Sequence, residues 1–150
     1  FCPLTYIPQL DNLVELNCSY CPLTYIPQLD NLTKLYCSYC PLTHIPQLDN
    51  LEKIICTGCH LTHIPQLDNL KVLHCNNCPL LTSIPQLDNL KELYCDYCPL
   101  LTSIPQLNNL TKLECYNCPL LTSIPQLDNL EELNCTRCSL LTSIPQLKRT

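Results

Sequence analysis

Hydrophobic and polar positions alternate through the segment "LxxLxCxxC", which begins at Leu13, Leu32, Leu51, Leu70, Leu90, Leu110 and Leu130. Stretches such as "ELNCS" and "KLYCS" place apolar side chains at every second position. That is the period of a strand with one buried face. Each segment is followed by a return arm that contains Ile-Pro, from Ile7-Pro8 to Ile144-Pro145. Proline removes a backbone donor and pushes the preceding residue towards extended geometry. The arms are therefore expected to be extended, polyproline-like or short 3₁₀ structure. Asp-Asn before the next leucine, as in Asp11-Asn12 and Asp30-Asn31, predicts a turn in which both side chains cap nearby backbone groups.

The first three full units have nineteen residues and the last four twenty. The longer ones read "LLTSIPQL" after the second cysteine and its neighbour where the earlier ones read "LTYIPQL" or "LTHIPQL", so the extra residue lies in the connecting arm. Residues 1–12 form the back half of a further unit, and the chain reads as a single repeat domain over residues 1–150. One unit cannot bury its own apolar face, so stability must come from stacking. Stacked copies of the strand form a parallel ladder with rungs about 4.8 Å apart.

The frame "LxxLxCxxCxL" resembles the leucine-rich repeat family, whose strand reads L-x-x-L-x-L-x-x-N/C-x-L. The unit "LxxLxCxxCPLLTSIPQLDN" is most similar to the cysteine-containing short leucine-rich repeat proteins of giant amoeba-infecting viruses. Its period is also similar to the short repeats of bacterial effector proteins. The resemblance implies a mainly β solenoid whose parallel sheet lines a concave side and binds protein partners. The departure is cysteine at the sixth and ninth positions, where leucine and asparagine are common in the family.

The cysteines fall in two columns. Cys18, Cys37, Cys56, Cys75, Cys95, Cys115 and Cys135 occupy the sixth position, and Cys21, Cys40, Cys59, Cys78, Cys98, Cys118 and Cys138 the ninth, continued by Cys2. The fifteen residues between Cys21 and Cys37 match a spacing known for zinc sites. A tetrahedral zinc site would use two pairs and stop, whereas this pattern runs on unbroken, and no histidine column completes a ligand set. A redox pair needs solvent access and a lowered pKa, which an inward-facing pair lacks. The reading that fits every copy is structural: cysteine as a small buried hydrophobe, whose ninth-position S–H donates weakly to a backbone carbonyl. No cofactor is expected.

The outward positions vary from unit to unit. The fifth position reads Asn17, Tyr36, Ile55, His74, Tyr94, Glu114 and Asn134, and the seventh includes Tyr116. The eighth reads Tyr20, Tyr39, Gly58, Asn77, Tyr97, Asn117 and Arg137. Tyrosine combines apolar area with a polar tip and suits contact surfaces. A partner-binding concave face is thus expected at Tyr20, Tyr36, Tyr39, His74, Tyr94, Tyr97, Tyr116 and Arg137, centred on the tyrosines and His74. The competing account is that solvated strand positions drift, and tyrosine has good β propensity.

The net charge of −5 argues against a nucleic-acid partner and an anionic membrane surface. No run approaches eighteen apolar residues, and no basic-then-apolar leader precedes Phe1. The lack of methionine suggests a fragment or processed product. Fifteen cysteines cannot all pair internally, which points to a reducing intracellular compartment, including the cytoplasm of an infected cell if the viral resemblance holds. No catalytic residues stand out: Glu131-Glu132 lie on opposite faces or at a strand entry, and the Ser83, Ser103, Ser123, Ser143 column has no systematic His/Asp companions. The expected function is a non-catalytic scaffold for a protein partner. Two alternatives stand beside it: a structural unit associating end to end through uncapped coils, and a metal- or redox-responsive protein. Lys148-Arg149 break the repeat and form a weak stop signal.

Overall fold

The computed structural model describes residues 2–147; Phe1 and the Lys148-Arg149 stop signal lie outside the described residues. Seven three-residue strands stack in chain order: β1 Glu15–Asn17, β2 Lys34–Tyr36, β3 Lys53–Ile55, β4 Val72–His74, β5 Glu92–Tyr94, β6 Lys112–Glu114 and β7 Glu132–Asn134. They form one parallel sheet in the order β1 to β7. The register places Glu15 opposite Lys34 and Val72 opposite Glu92, so pairing steps by nineteen residues early and twenty later. The strands are shorter than the alternation suggests, but cross-rung bonding continues past their ends. The Cys18 N–H donates to Tyr36 O at 2.8 Å, and that of Tyr20 to Ser38 O at 2.8 Å.

The fold is a parallel β-solenoid. Its core is columnar: Leu35, Ile54, Leu73, Leu93 and Leu113 on the strands, backed by Ile26, Leu29 and their equivalents on the interior return arms, all buried, while Leu10, Ile144 and Leu147 at the two ends are exposed. Among the described residues no helix or 3₁₀ segment occurs, and the arms are extended. Proline accounts for this, because the arm has no donor to offer an internal turn at that point. The twentieth residue of the longer units forms a turn directly after the ninth position, closed by Leu81 N–H to Cys78 O at 3.3 Å. It leaves Leu80, Leu100, Leu120 and Leu140 exposed.

Two side-chain ladders explain why "IPQLDN" is nearly invariant. Each glutamine reaches the following rung, as Gln28 Nε2 does to Gln47 O at 2.7 Å, while also donating to the acid two residues on, Asp30 Oδ1 at 2.8 Å. Each asparagine reaches the preceding rung, as Asn50 Nδ2 does to Asp30 O at 2.7 Å. The expectation that Asp and Asn both cap nearby backbone groups is corrected for each: the asparagine amide bonds to backbone across the stack, and the aspartate carboxylate accepts from the glutamine side chain two residues before it. Asn108 keeps the role of the aspartate it replaces, with Oδ1 accepting from Gln106 at 3.0 Å.

Candidate protein-interaction face

The cysteine columns form the inner wall behind the strand face. Sixth-position cysteines from Cys18 to Cys115 are buried, while Cys135 and Cys2 are partly exposed; the ninth-position column from Cys21 to Cys138 is buried throughout. Ninth-position thiols donate to the sixth-position carbonyl of the preceding rung: Cys40 Sγ to Cys18 O at 3.0 Å, Cys59 to Cys37 O at 3.1 Å and Cys118 to Cys95 O at 3.1 Å. Burial pushes the Cys18 thiol up to about 12. Hydrogen bonding to Cys59, reinforced by burial, holds Cys37 well above the usual thiol range, and Cys56 behaves alike beside Cys78. In these coupled pairs the partners Cys59 and Cys78 move down, drawn by the same hydrogen bond. Among the described residues, no group of three or more His, Cys, Asp or Glu side chains is placed to hold a metal ion.

The eight candidate contact residues do not form one centre. Seven of them lie in two rows, and Tyr116 stands at the seventh position, between strand and corner. The fifth-position row projects from the strands, and Tyr36, His74 and Tyr94 are half-buried along the sheet. The His74 and Tyr94 rings lie 4.0 Å apart between centroids, and the Tyr94 hydroxyl donates to Glu92 Oε2 at 3.1 Å. Lys53 Nζ sits 5.9 Å from the Tyr36 ring, and Lys112 Nζ 5.7 Å from that of Tyr94. Lys112 also pairs with Glu132 at 2.6 Å and Glu114 at 3.7 Å. Burial, with Lys53 nearby, lowers the His74 pKa from its ordinary 6.5.

The second row corrects the description of the eighth position as an outward strand position. Among the described residues, Tyr20, Tyr39, Gly58, Asn77, Tyr97, Asn117 and Arg137 all have positive φ, between 55° and 71°. They form the left-handed corner of a turn that follows each strand. Its reason is local: the chain must bend within two residues so that both the sixth and ninth positions point inward. Glycine and asparagine tolerate that conformation readily; tyrosine and arginine do so with strain. In this row Tyr20 stacks on Tyr39 at 5.0 Å and 16° between planes. Tyr97 meets Tyr116 edge-on at 5.2 Å, and Arg137 lies 5.5 Å from the Tyr116 ring.

Between the two aromatic pairs the row is interrupted. The chain's one glycine, Gly58, lies beneath Tyr39, where an added Cβ would meet the ring's Cδ1 and Cε1 at 2.6 Å. Beyond it opens a groove of about 410 Å³ lined by Tyr39, Thr57, Asn76, Asn77, Asp96 and Tyr97. Sequence reasoning singled out only the two tyrosines of this set. The available signals were a single glycine inside a tyrosine column and Asp96 as the one acid at the seventh position.

Residues 69–87, which comprise one coil with β4, its left-handed corner and its return arm, match the family described as Leucine Rich Repeat. The chain folds as a leucine-rich-repeat-like solenoid. No curated protein and no solved structure matches it. In the solenoid the ninth-position cysteine does what asparagine is expected to do in the consensus, donating to backbone where the chain leaves the strand.

Proposed function

We propose that the solenoid is a non-catalytic scaffold for protein–protein interaction, using the strand face and the left-handed corners beside it. The observation that carries this reading is the choice of residue at the corner. Gly58, Asn77 and Asn117 show that the turn accommodates residues suited to positive φ. Tyr20, Tyr39, Tyr97 and Arg137 hold the same conformation at a cost of about 1–2 kcal/mol each for a side chain with a Cβ. Strain retained in exposed aromatic and cationic side chains, rather than relieved by asparagine, marks a surface under functional constraint. The β-propensity account does not reach these residues, since they are not in strands. It stands only for Tyr36 and Tyr94.

Tyrosine and arginine are also the residue types enriched where interfaces concentrate their binding energy. An acidic chain with fifteen free cysteines suits a protein partner in a reducing compartment. The test is affinity capture from the native cell with the wild-type chain and a Tyr36→Ala/Tyr94→Ala/Tyr97→Ala variant, read by mass spectrometry. A partner specifically lost from the variant supports the reading. Identical capture by both chains refutes it.

A further inference from the structure

The groove between the two aromatic pairs has a shape and charge that identify an occupant more closely than "a protein". Its walls, Tyr39 and Tyr97, rise from corners three rungs apart, roughly 14 Å at the spacing of parallel strands. Tyr39 leans across Gly58, so the open floor is about two rungs, roughly 10 Å wide. An α-helix with its side chains measures about 10–12 Å across and does not descend into such a gap. A single extended side chain does.

The floor is polar and carries one negative charge. Asp96 is half-buried, and its Oδ1 accepts the Tyr116 N–H at 2.7 Å, while the Asp96 N–H donates to Asn76 Oδ1 at 2.8 Å. These bonds fix the carboxylate without neutralising it. Among the described residues the ion pairs involve Glu15, Glu52, Glu114 and Glu132, and none reaches Asp96. Three cations of this face are engaged elsewhere: Lys53 beside Tyr36, Lys112 between Glu114 and Glu132, and Arg137 beside Tyr116. Burial, with Glu114 adding to it, raises the Asp96 pKa, the response of a carboxylate lacking a counter-ion. Both walls are braced from outside the groove, Tyr39 by Tyr20 and Tyr97 by Tyr116.

We propose that this groove receives an arginine side chain from an extended segment of the protein partner, with the guanidinium against Tyr39 or Tyr97 and its fork on Asp96. A planar cation is favoured over lysine because it stacks on an aromatic face while donating in pairs to a carboxylate. An anionic group is disfavoured by Asp96 and Glu114 together. The proposal rests on the interaction-scaffold reading and names the chemistry of the partner at one point of that face.

Gly58 supplies the test. Labelling with ¹⁵N-glycine yields one amide signal, located beneath Tyr39. Titration with N-acetyl-arginine amide is expected to shift it saturably at millimolar concentration, whereas N-acetyl-citrulline amide, of the same shape without charge, leaves it in place. Asp96→Asn, which keeps the acceptor for Tyr116, weakens the arginine probe about fivefold. Glu52→Gln, the same charge change away from the groove, leaves it unaltered. Equal binding of citrulline, an unchanged affinity in Asp96→Asn, or no saturable shift overturns the proposal. The two readings separate in the capture experiment. A partner lost with the tyrosine variant but retained by Asp96→Asn refutes the arginine groove alone, and retention by both refutes the interaction face as well.

Discussion

Replacing Cys78 in the middle of the stack sets two physical expectations against each other. Cys78 is fully buried, with Sγ 3.4 Å from Cys56 O. That carbonyl also accepts the Cys59 N–H at 3.3 Å, so it keeps a partner when the thiol is removed. Cys78→Ala therefore loses little beyond the buried sulfur and a small void, about 1–2 kcal/mol. Cys78→Ser preserves shape yet inserts a hydroxyl into an apolar wall. Its shorter C–O bond draws the donor back from a carbonyl already at 3.4 Å, whereas an O–H donor needs about 2.7–2.8 Å. A buried hydroxyl without a well-placed acceptor costs about 1–3 kcal/mol in addition to the lost sulfur contacts, giving roughly 2–4 kcal/mol. Because each rung touches only its neighbours, the lesion weakens two interfaces at once. Guanidinium unfolding followed by far-ultraviolet circular dichroism under reducing conditions measures the midpoints. The expected order of stability is wild type, then alanine, then serine. A serine variant as stable as the alanine one refutes the account of the column as an apolar wall with weak S–H donors.

Three further outcomes follow from the geometry. Gly58→Ala places a Cβ at φ +71° and 2.6 Å from the Tyr39 ring, so it is expected to lower stability by about 1–2 kcal/mol and to weaken the Tyr20–Tyr39 contact, read by thermal melting and by ring–ring nuclear Overhauser effects. Tyr97→Asn relieves strain at one corner while losing the edge contact with Tyr116, so stability stays within about 1 kcal/mol of wild type even as partner capture falls. His74 has a lowered pKa in the fold, so the unfolded chain binds its proton first. Its contribution is intact above the unfolded pKa near 6.5 and is lost as pH drops through that value. A His74→Gln variant is expected to flatten this part of the stability–pH curve, and an unchanged slope refutes the assignment.

The fold could be read from the sequence because the repeat compares the chain with itself. Leu35, Ile54, Leu73 and Leu93 recur at a fixed interval, and only stacking buries such a column. Strand alternation predicted the inward sixth-position cysteines for the same reason, whereas the ninth-position column followed from the repeat frame of the resembling family. What alternation does not carry is the sign of φ. Ser19-Tyr20 looks like a continuing strand until the need to turn both Cys18 and Cys21 inward bends the backbone into the left-handed region. Nor does a pattern show whether an amide bonds within its own turn or across the stack. That depends on the rung spacing, which brings Asp30 O within reach of Asn50 but lies outside any one unit. The groove was hidden for a related reason: Gly58 and Asp96 belong to different units and different columns, and only the lean of Tyr39 brings their surroundings together.

The opposed reach of the two amides has a consequence for how such a chain can change in length. An interior coil is gripped by glutamine from the coil before it and by asparagine from the coil after it, through contacts that are the same at every junction. A whole coil can therefore be gained or lost with each new junction restoring the bonds of the old. The turn at Leu80 shows where length can vary within a coil: the twentieth residue leaves the stack at a point that neither amide uses. Copy number and coil length are thus separately adjustable, and the spacing between any two corners of the face can be altered by duplicating what lies between them.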